Sequence, residues 1–67
     1  MWITGDELVV VDGQPVTAEQ LAEARQEIAH NGTGVPLWHE LTDDERQTSR
    51  VAAAGWILAL GTVLNRR

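Results

Sequence analysis

The sequence predicts a small α+β domain in which a short N-terminal β-meander of two or three strands packs on a two-helix hairpin. Three observations indicate this class: a β-branched run that ends in Asp-Gly, and two Thr-initiated helix starts that each precede a periodic apolar segment. The 67 residues fit a single domain. A purely helical hairpin with an extended N-terminal arm is the alternative. The predicted order is a meander over residues 1–16, a first helix over 17–31, a loop over 32–41 and a second helix over 42–65.

The strands are predicted around a tight turn. Residues 8–11 read Leu-Val-Val-Val and are followed by Asp12-Gly13, a dipeptide that suits the positive φ angles of a type I′ turn. Residues 14–16 then return as a second strand, which must lie at a sheet edge because its proline has no N–H. Residues 2–4 are a candidate third strand, so the meander has either two or three strands.

Both helices have a clear predicted start. Thr17 with Gln20, and Thr42 with Glu45, have the spacing of a capping box, in which the two side chains bond each other's backbone N–H groups. The first helix is expected to end near residue 30, because the Asn-Gly pair at 31–32 tolerates the left-handed conformation.

The first helix is predicted to have an apolar and an acidic face. Glu19, Glu23 and Glu27 recur at every fourth position and form a ridge. This ridge is either an ordinary solvated face or a docking stripe for a basic partner. The residues expected to face the core are Ala18, Leu21, Ala22, Ile28 and Ala29.

The second helix is polar over residues 43–50 and apolar almost all round over residues 51–64. A helix that is apolar on every face is expected to be buried on every face. Trp38 is expected to fill the gap between the helices. Either the strands and the first helix cover the apolar half completely, or part of it is a self-association or partner face. Gly55 and Ala59, one turn apart, would let another helix come close.

The residue inventory excludes several kinds of chemistry. The chain has no Cys and no Lys, so it has no disulfide, no thiolate metal site and no lysine Schiff base. His39-Glu40 begins like the zinc motif HExxH, but Asp43 stands where the second His belongs. His30 is expected to pair with Glu27 near the end of the first helix and to stabilise it. No nucleophile, base and oxyanion site assemble, so neither an enzyme, a metal nor a cofactor is expected.

Charge and hydropathy limit the partners. Ten acidic and five basic residues give a net charge of −5, which disfavours binding to nucleic acid. A nucleic-acid accessory protein that uses the arginines at 46, 50, 66 and 67 is the alternative. The N-terminus does not resemble a signal peptide, and the apolar run is shorter than the ~20 residues of a membrane span. A cytoplasmic protein is therefore expected, with no membrane partner.

Residues 35–46 carry Pro-x-Trp-x-x-Leu followed by an acidic helix start and an arginine, and residues 51–54 begin an Ala-rich helix. This pattern resembles small phage-encoded proteins of actinobacterial viruses. The resemblance implies a role in binding and redirecting host proteins or in blocking host defences, within the cytoplasm of the host cell. It implies no particular functional residue.

These observations lead to one functional hypothesis, a small non-enzymatic interaction protein that binds a host protein, self-associates as a homodimer through the last helix, or does both. A small-molecule-sequestering oligomer lined by tryptophans is a further alternative. The candidate interaction residues are Gly55, Trp56, Ile57, Ala59, Leu60, Val63 and Leu64 on the second helix and Glu19, Glu23 and Glu27 on the first.

Overall fold

A computed structural model describes residues 5–66 of the chain and shows a β-hairpin packed against a helical hairpin. The predicted α+β class is confirmed. The candidate third strand at residues 2–4 lies outside the described residues. The elements are β1 (Leu8–Val11), β2 (Gln14–Thr17), α1 (Ala18–Thr33), a single 3₁₀ turn (Trp38–Glu40) and α2 (Asp43–Asn65).

The β-hairpin has the predicted turn. Strands β1 and β2 are antiparallel, with Leu8 opposite Thr17 and Val11 opposite Gln14. Asp12 and Gly13 have φ angles of 52° and 81°, the positive values that a type I′ turn requires at both central positions. Because side chains alternate along a strand, Val9 is buried against the helices while Leu8 and its counterpart at position 10 face outward.

Both predicted capping boxes are present. The Gln20 N–H donates to Thr17 Oγ1 over 3.1 Å, and the Thr17 N–H donates to Gln20 Oε1 over 3.0 Å. The same exchange joins Thr42 and Glu45, over 3.2 and 2.9 Å. The hydrogen bond from the Thr42 backbone N–H, helped by the Thr42 hydroxyl, lowers the pKa of Glu45.

The segment before β1 completes the start of α1. The Ala18 N–H donates to the Glu7 carbonyl and the Glu19 N–H to the Gly5 carbonyl, over 2.8 and 3.1 Å. Gly5 is buried with a φ of 85°, and a Cβ there would lie 3.0 Å from Glu19 Cβ. Only glycine satisfies both constraints, so this close approach depends on residue 5.

The predicted end of α1 near residue 30 is wrong, because the helix continues to Thr33. Gly34 takes the left-handed conformation, with a φ of 78°, and its N–H donates to the His30 carbonyl over 2.8 Å. The helix passes through Asn31-Gly32 because the glycine two residues later provides the cap. The Thr33 hydroxyl also donates to the Ala29 carbonyl over 2.9 Å, which holds the last turn.

The core is built from small side chains. No large side chain among residues 5–66 is fully buried. Leu41 is buried apart from the central cluster, while Leu21, Trp38 and Leu64 are half-buried against it. The cluster of buried residues consists of Val9, Ala18, Ala22, Ala53 and Ile57.

Candidate interaction surfaces on the second helix

Among residues 5–66, the apolar half of α2 is not buried on every face, so the alternative in which the strands and the first helix cover it completely is wrong. Trp56 is 64% exposed and Leu58 is 73% exposed, and Leu60 and Val63 are also exposed. The β-hairpin and α1 together cover only the side of α2 that carries Ala53 and Ile57. These exposed side chains lie on two sides of α2.

The first surface is a groove between the two helices, here called the α1–α2 groove. Its walls are Leu21, Ala24 and Ile28 from α1 and Trp56 and Leu60 from α2, around a volume of about 570 Å³. Ile57 forms its floor, and Val16 and Arg25 complete the lining. The groove is therefore apolar along its length, with one cation at its edge.

Ile28 was predicted to face the core, but this prediction is wrong because its side chain is 73% exposed. On α1, Ala18 and Ala22 are buried in the core cluster and Leu21 packs against it, whereas Ile28 lines the groove. Sequence reasoning missed this role. No sequence signal could have found it, because the seven-residue spacing from Leu21 to Ile28 is also the spacing of two core-facing residues.

The second surface, here called the Leu8–Leu58 groove, lies where β1 meets α2. Leu8 and Leu58 share this open groove of about 630 Å³ with the backbone of Gly55 and Gly61. A Cβ at Gly55 would meet nothing within 4 Å, so this stretch of α2 is open to solvent. The exposed Ala59 lies between the two surfaces on the outer side of α2.

The remaining candidate residues of α2 separate into core and surface. Ile57 is 4% exposed and Leu64 is half-buried against the core cluster, so both belong mainly to the fold. Trp56, Leu60 and Val63 remain accessible. Of the accessible predicted residues, these three therefore lie on one side of the helix, while Gly55 lines the Leu8–Leu58 groove.

The first residue of the acidic ridge, Glu19, forms an ion pair with Arg50 of the same chain. Glu19 accepts two hydrogen bonds from Arg50 Nε, over 2.7 Å to Oε2 and 3.2 Å to Oε1, and one from Nη2 over 2.9 Å. This contact lowers the pKa of Glu19 and raises that of Arg50. Glu23 and Glu27 stay exposed, beside His30 and His39 at a shallow basin.

Arginines of α2 are engaged within the chain. Arg50 lies over the ring of Trp38, 5.5 Å from its centre, and Trp38 is half-buried at the edge of the core. Arg46 donates to the Leu41 carbonyl over 2.8 Å and contacts Asp43 at 3.5 Å. No sequence signal predicted the Glu19 to Arg50 contact, because 31 residues separate the two partners.

The two histidines do not form a metal site in the described chain. His39 lies in the 3₁₀ turn and Asp43 at the start of α2, so the HExxH-like residues do not share a helix. Within residues 5–66, no three His, Asp or Glu side chains are grouped to hold a metal ion. His30 was expected to pair with Glu27, but its Nδ1 contacts the Val35 carbonyl at 2.7 Å.

Comparison with protein-family models, with curated proteins and with solved structures found no match. Between residues 5 and 66, neither helix combines the length and apolar character needed to cross a bilayer. The fold and its two apolar grooves are therefore the observations from which a function is inferred.

Proposed function

We propose that this chain is a small non-enzymatic interaction protein, encoded by a phage, that binds a host protein through the exposed apolar half of α2. One observation carries the proposal: Trp56, Leu58, Leu60 and Val63 are exposed on a helix that is apolar enough to be buried. Exposed apolar surface that the rest of the fold leaves uncovered often marks an interaction site.

The composition of the surface supports the proposal. Tryptophan and arginine are enriched among the residues that dominate binding energy at protein interfaces, and Trp56 and Arg25 line the same groove. The groove has the concave form into which an amphipathic helix or a complementary apolar face fits. The assignment to a phage depends on the resemblance of residues 35–46 and 51–54.

Nucleic-acid binding receives less support. Two of its candidate arginines, Arg46 and Arg50, are held by carbonyl and carboxylate oxygens of the same chain. Phosphate contacts would give an apparent affinity that falls steeply with salt concentration, which a salt titration with duplex DNA would detect.

A photo-crosslinking experiment in actinobacterial host cells tests the proposal. Trp56 or Leu58 is replaced in turn by the photoreactive residue p-benzoylphenylalanine, and Thr48, exposed on the polar half of α2, serves as the matched control position. We expect one discrete adduct with a host protein from position 56 or 58 and none from position 48. Adducts with no host protein at either apolar position would contradict the proposal.

A further inference from the structure

We infer that the outer edge of β1 accepts an extended, basic-flanked segment of the partner protein, which joins the sheet as an added strand over the Leu8–Leu58 groove. This inference rests on the proposed function, because it names how a partner binds beside α2. In strand addition, backbone hydrogen bonds provide the affinity and alternate side chains provide the specificity.

The register of the β-hairpin determines which backbone groups face outward. In a two-residue hairpin the pair next to the turn, Val11 and Gln14, is hydrogen-bonded, and bonded and non-bonded pairs then alternate. Leu8 and Val10 therefore direct their N–H and C=O groups away from β2. Within residues 5–66, no backbone or side-chain group bonds them. The edge of β1 thus presents two donors and two acceptors in the arrangement that a strand pairs with.

The outer edge of β2, in contrast, is closed to a further strand. Its two outward positions are Pro15 and Thr17, which lie opposite Val10 and Leu8. Proline has no N–H to donate, and the Thr17 N–H donates to Gln20 Oε1 over 3.0 Å. Proline and lysine are among the residues that protect an exposed strand edge from pairing, and β1 contains neither. Of the two edges of the hairpin, only that of β1 can therefore pair.

The edge of β1 adjoins the Leu8–Leu58 groove, so an added strand would also meet an apolar surface. β1 lies over α2, where a Cβ at Gly61 would be 3.9 Å from Val9 Cγ2. Neighbouring strands are about 4.8 Å apart, which places the added strand above the groove that Leu8 shares with Leu58 and Gly55. Alternate side chains of the added strand would point toward α2 and cover this groove. One extended segment therefore fits both the edge and the groove.

Charge indicates the chemistry of that segment. Acidic residues flank β1, with Glu7 before it and Asp12 after it, and residues 6–17 include no basic residue. If two copies paired their β1 edges in antiparallel fashion, Glu7 of one copy would lie opposite Asp12 of the other, and like charges opposite each other are destabilising. A segment with apolar residues at its centre and Lys or Arg at its ends has the complementary charge. The occupant is therefore a strand of another protein rather than a second copy.

Amide hydrogen exchange of the ¹⁵N-labelled chain, followed by nuclear magnetic resonance, tests the inference. The probe is the synthetic peptide Lys-Val-Thr-Val-Thr-Val-Lys with blocked termini. Its control has the same sequence with the five central amide nitrogens methylated, which keeps the side chains and removes the backbone donors. At ten times the measured dissociation constant of the probe, exchange of the Val10 N–H should slow about tenfold. The methylated peptide should leave this exchange unchanged.

Val10→Pro and Val10→Thr form a matched pair of variants. Because the N–H at position 10 faces away from β2, proline removes the outward donor and keeps the bonds between the strands, whereas threonine keeps the donor. Val10→Pro should raise the dissociation constant of the probe about tenfold, and Val10→Thr by less than about threefold. Circular dichroism checks that both variants are folded. If Val10→Pro is not, the comparison of the two peptides still decides the question.

Four results would overturn the inference. The Val10 N–H could exchange slowly in the free chain, which would show an edge already paired within the chain, or its exchange could slow as the protein concentration rises, which would show pairing between copies. The probe could fail to bind at about 1 mM, the concentration range of very weak association. The methylated peptide could bind as tightly as the probe, which would show that backbone donors do not contribute.

Failure of this inference is distinguishable from failure of the proposed function. A chain that crosslinks to a host protein from position 58 but does not bind the probe would remove strand addition and keep the proposed function. A chain that binds the probe but gives no host adduct would keep the inference and remove host binding.

Discussion

The ion pair between Glu19 and Arg50 is expected to stabilise the fold by connecting the first turn of α1 to the middle of α2. Three hydrogen bonds of 2.7 to 3.2 Å join the two side chains, which are 31% and 21% exposed. Exposed ion pairs contribute about 0.2–1 kcal/mol, and hydrogen bonds to charged groups about 1.5–3 kcal/mol. Because this pair is part-buried and bidentate, we expect a coupling free energy of about 1–2 kcal/mol.

A double-mutant cycle with Glu19→Gln and Arg50→Gln, followed by urea denaturation at pH 7, measures that coupling. The cycle is needed because removal of Arg50 also removes its contact with the Trp38 ring, and this loss cancels between the single and double variants. Glu23→Gln, one turn further along α1, is the matched control and should change the free energy of unfolding less than Glu19→Gln. A coupling below about 0.3 kcal/mol, which is within ordinary additivity, would refute the pairing.

The same pair predicts a dependence of stability on pH. Arg50 holds the pKa of Glu19 below its ordinary value of 4.5 in the folded chain. A carboxyl group with a depressed folded pKa contributes stability that is present above the unfolded pKa and is lost as the pH falls through the folded value. The free energy of unfolding should therefore decrease on acidification below pH 4.5, and the decrease should be smaller in Glu19→Gln. Equal acid sensitivity in both proteins would contradict this assignment.

Three further substitutions test the fold by urea denaturation. Thr42→Ala should lower the free energy of unfolding by about 0.5–2 kcal/mol, because it removes the side-chain acceptor at the start of α2; an unchanged midpoint would contradict the cap. Ile57→Ala should lower the free energy of unfolding by about 2–5 kcal/mol, because Ile57 is buried. Its control, Leu58→Ala on the exposed side, should change the free energy of unfolding by less than about 0.5 kcal/mol. Equal losses would show that the two faces of α2 are assigned incorrectly. Gly34→Ala should cost about 1–2 kcal/mol, because residue 34 has a positive φ, and a neutral result would indicate that α1 ends elsewhere.

The features that sequence reasoning predicted correctly depend on a few neighbouring residues. The hairpin turn needs two adjacent positive φ angles, which Asp12-Gly13 provides. Each capping box needs only two residues three positions apart, as at Thr17 and Thr42. Such local interactions can be recognised in a sequence because they depend on neighbouring residues and not on how distant segments pack.

The features that sequence reasoning missed depend on tertiary structure. The end of α1 was ambiguous because Gly32 and Gly34 both suit a helix terminus, and contacts of the following loop favour the second. Ile28 has the spacing of a core residue, yet only the packing of Ala18 and Ala22 shows that it lies outside the core. The apolar half of α2 was recognisable from sequence, but which of its faces stays uncovered follows from the position of β1 and α1.

The connection between the helices has a consequence for the energetics of binding at the α1–α2 groove. On α1, the His30 ring contacts the Val35 carbonyl and the Gln26 side chain donates to the Pro36 carbonyl. Gly34, in the left-handed conformation, fixes the direction in which the chain leaves the helix. These contacts hold the connection against the end of α1. The connection therefore sets the separation of the two groove walls before any ligand binds. Such preorganisation limits the entropy lost on association to a few side chains. Trp56 adds little to that loss, because tryptophan has two rotatable side-chain bonds for its large contact area.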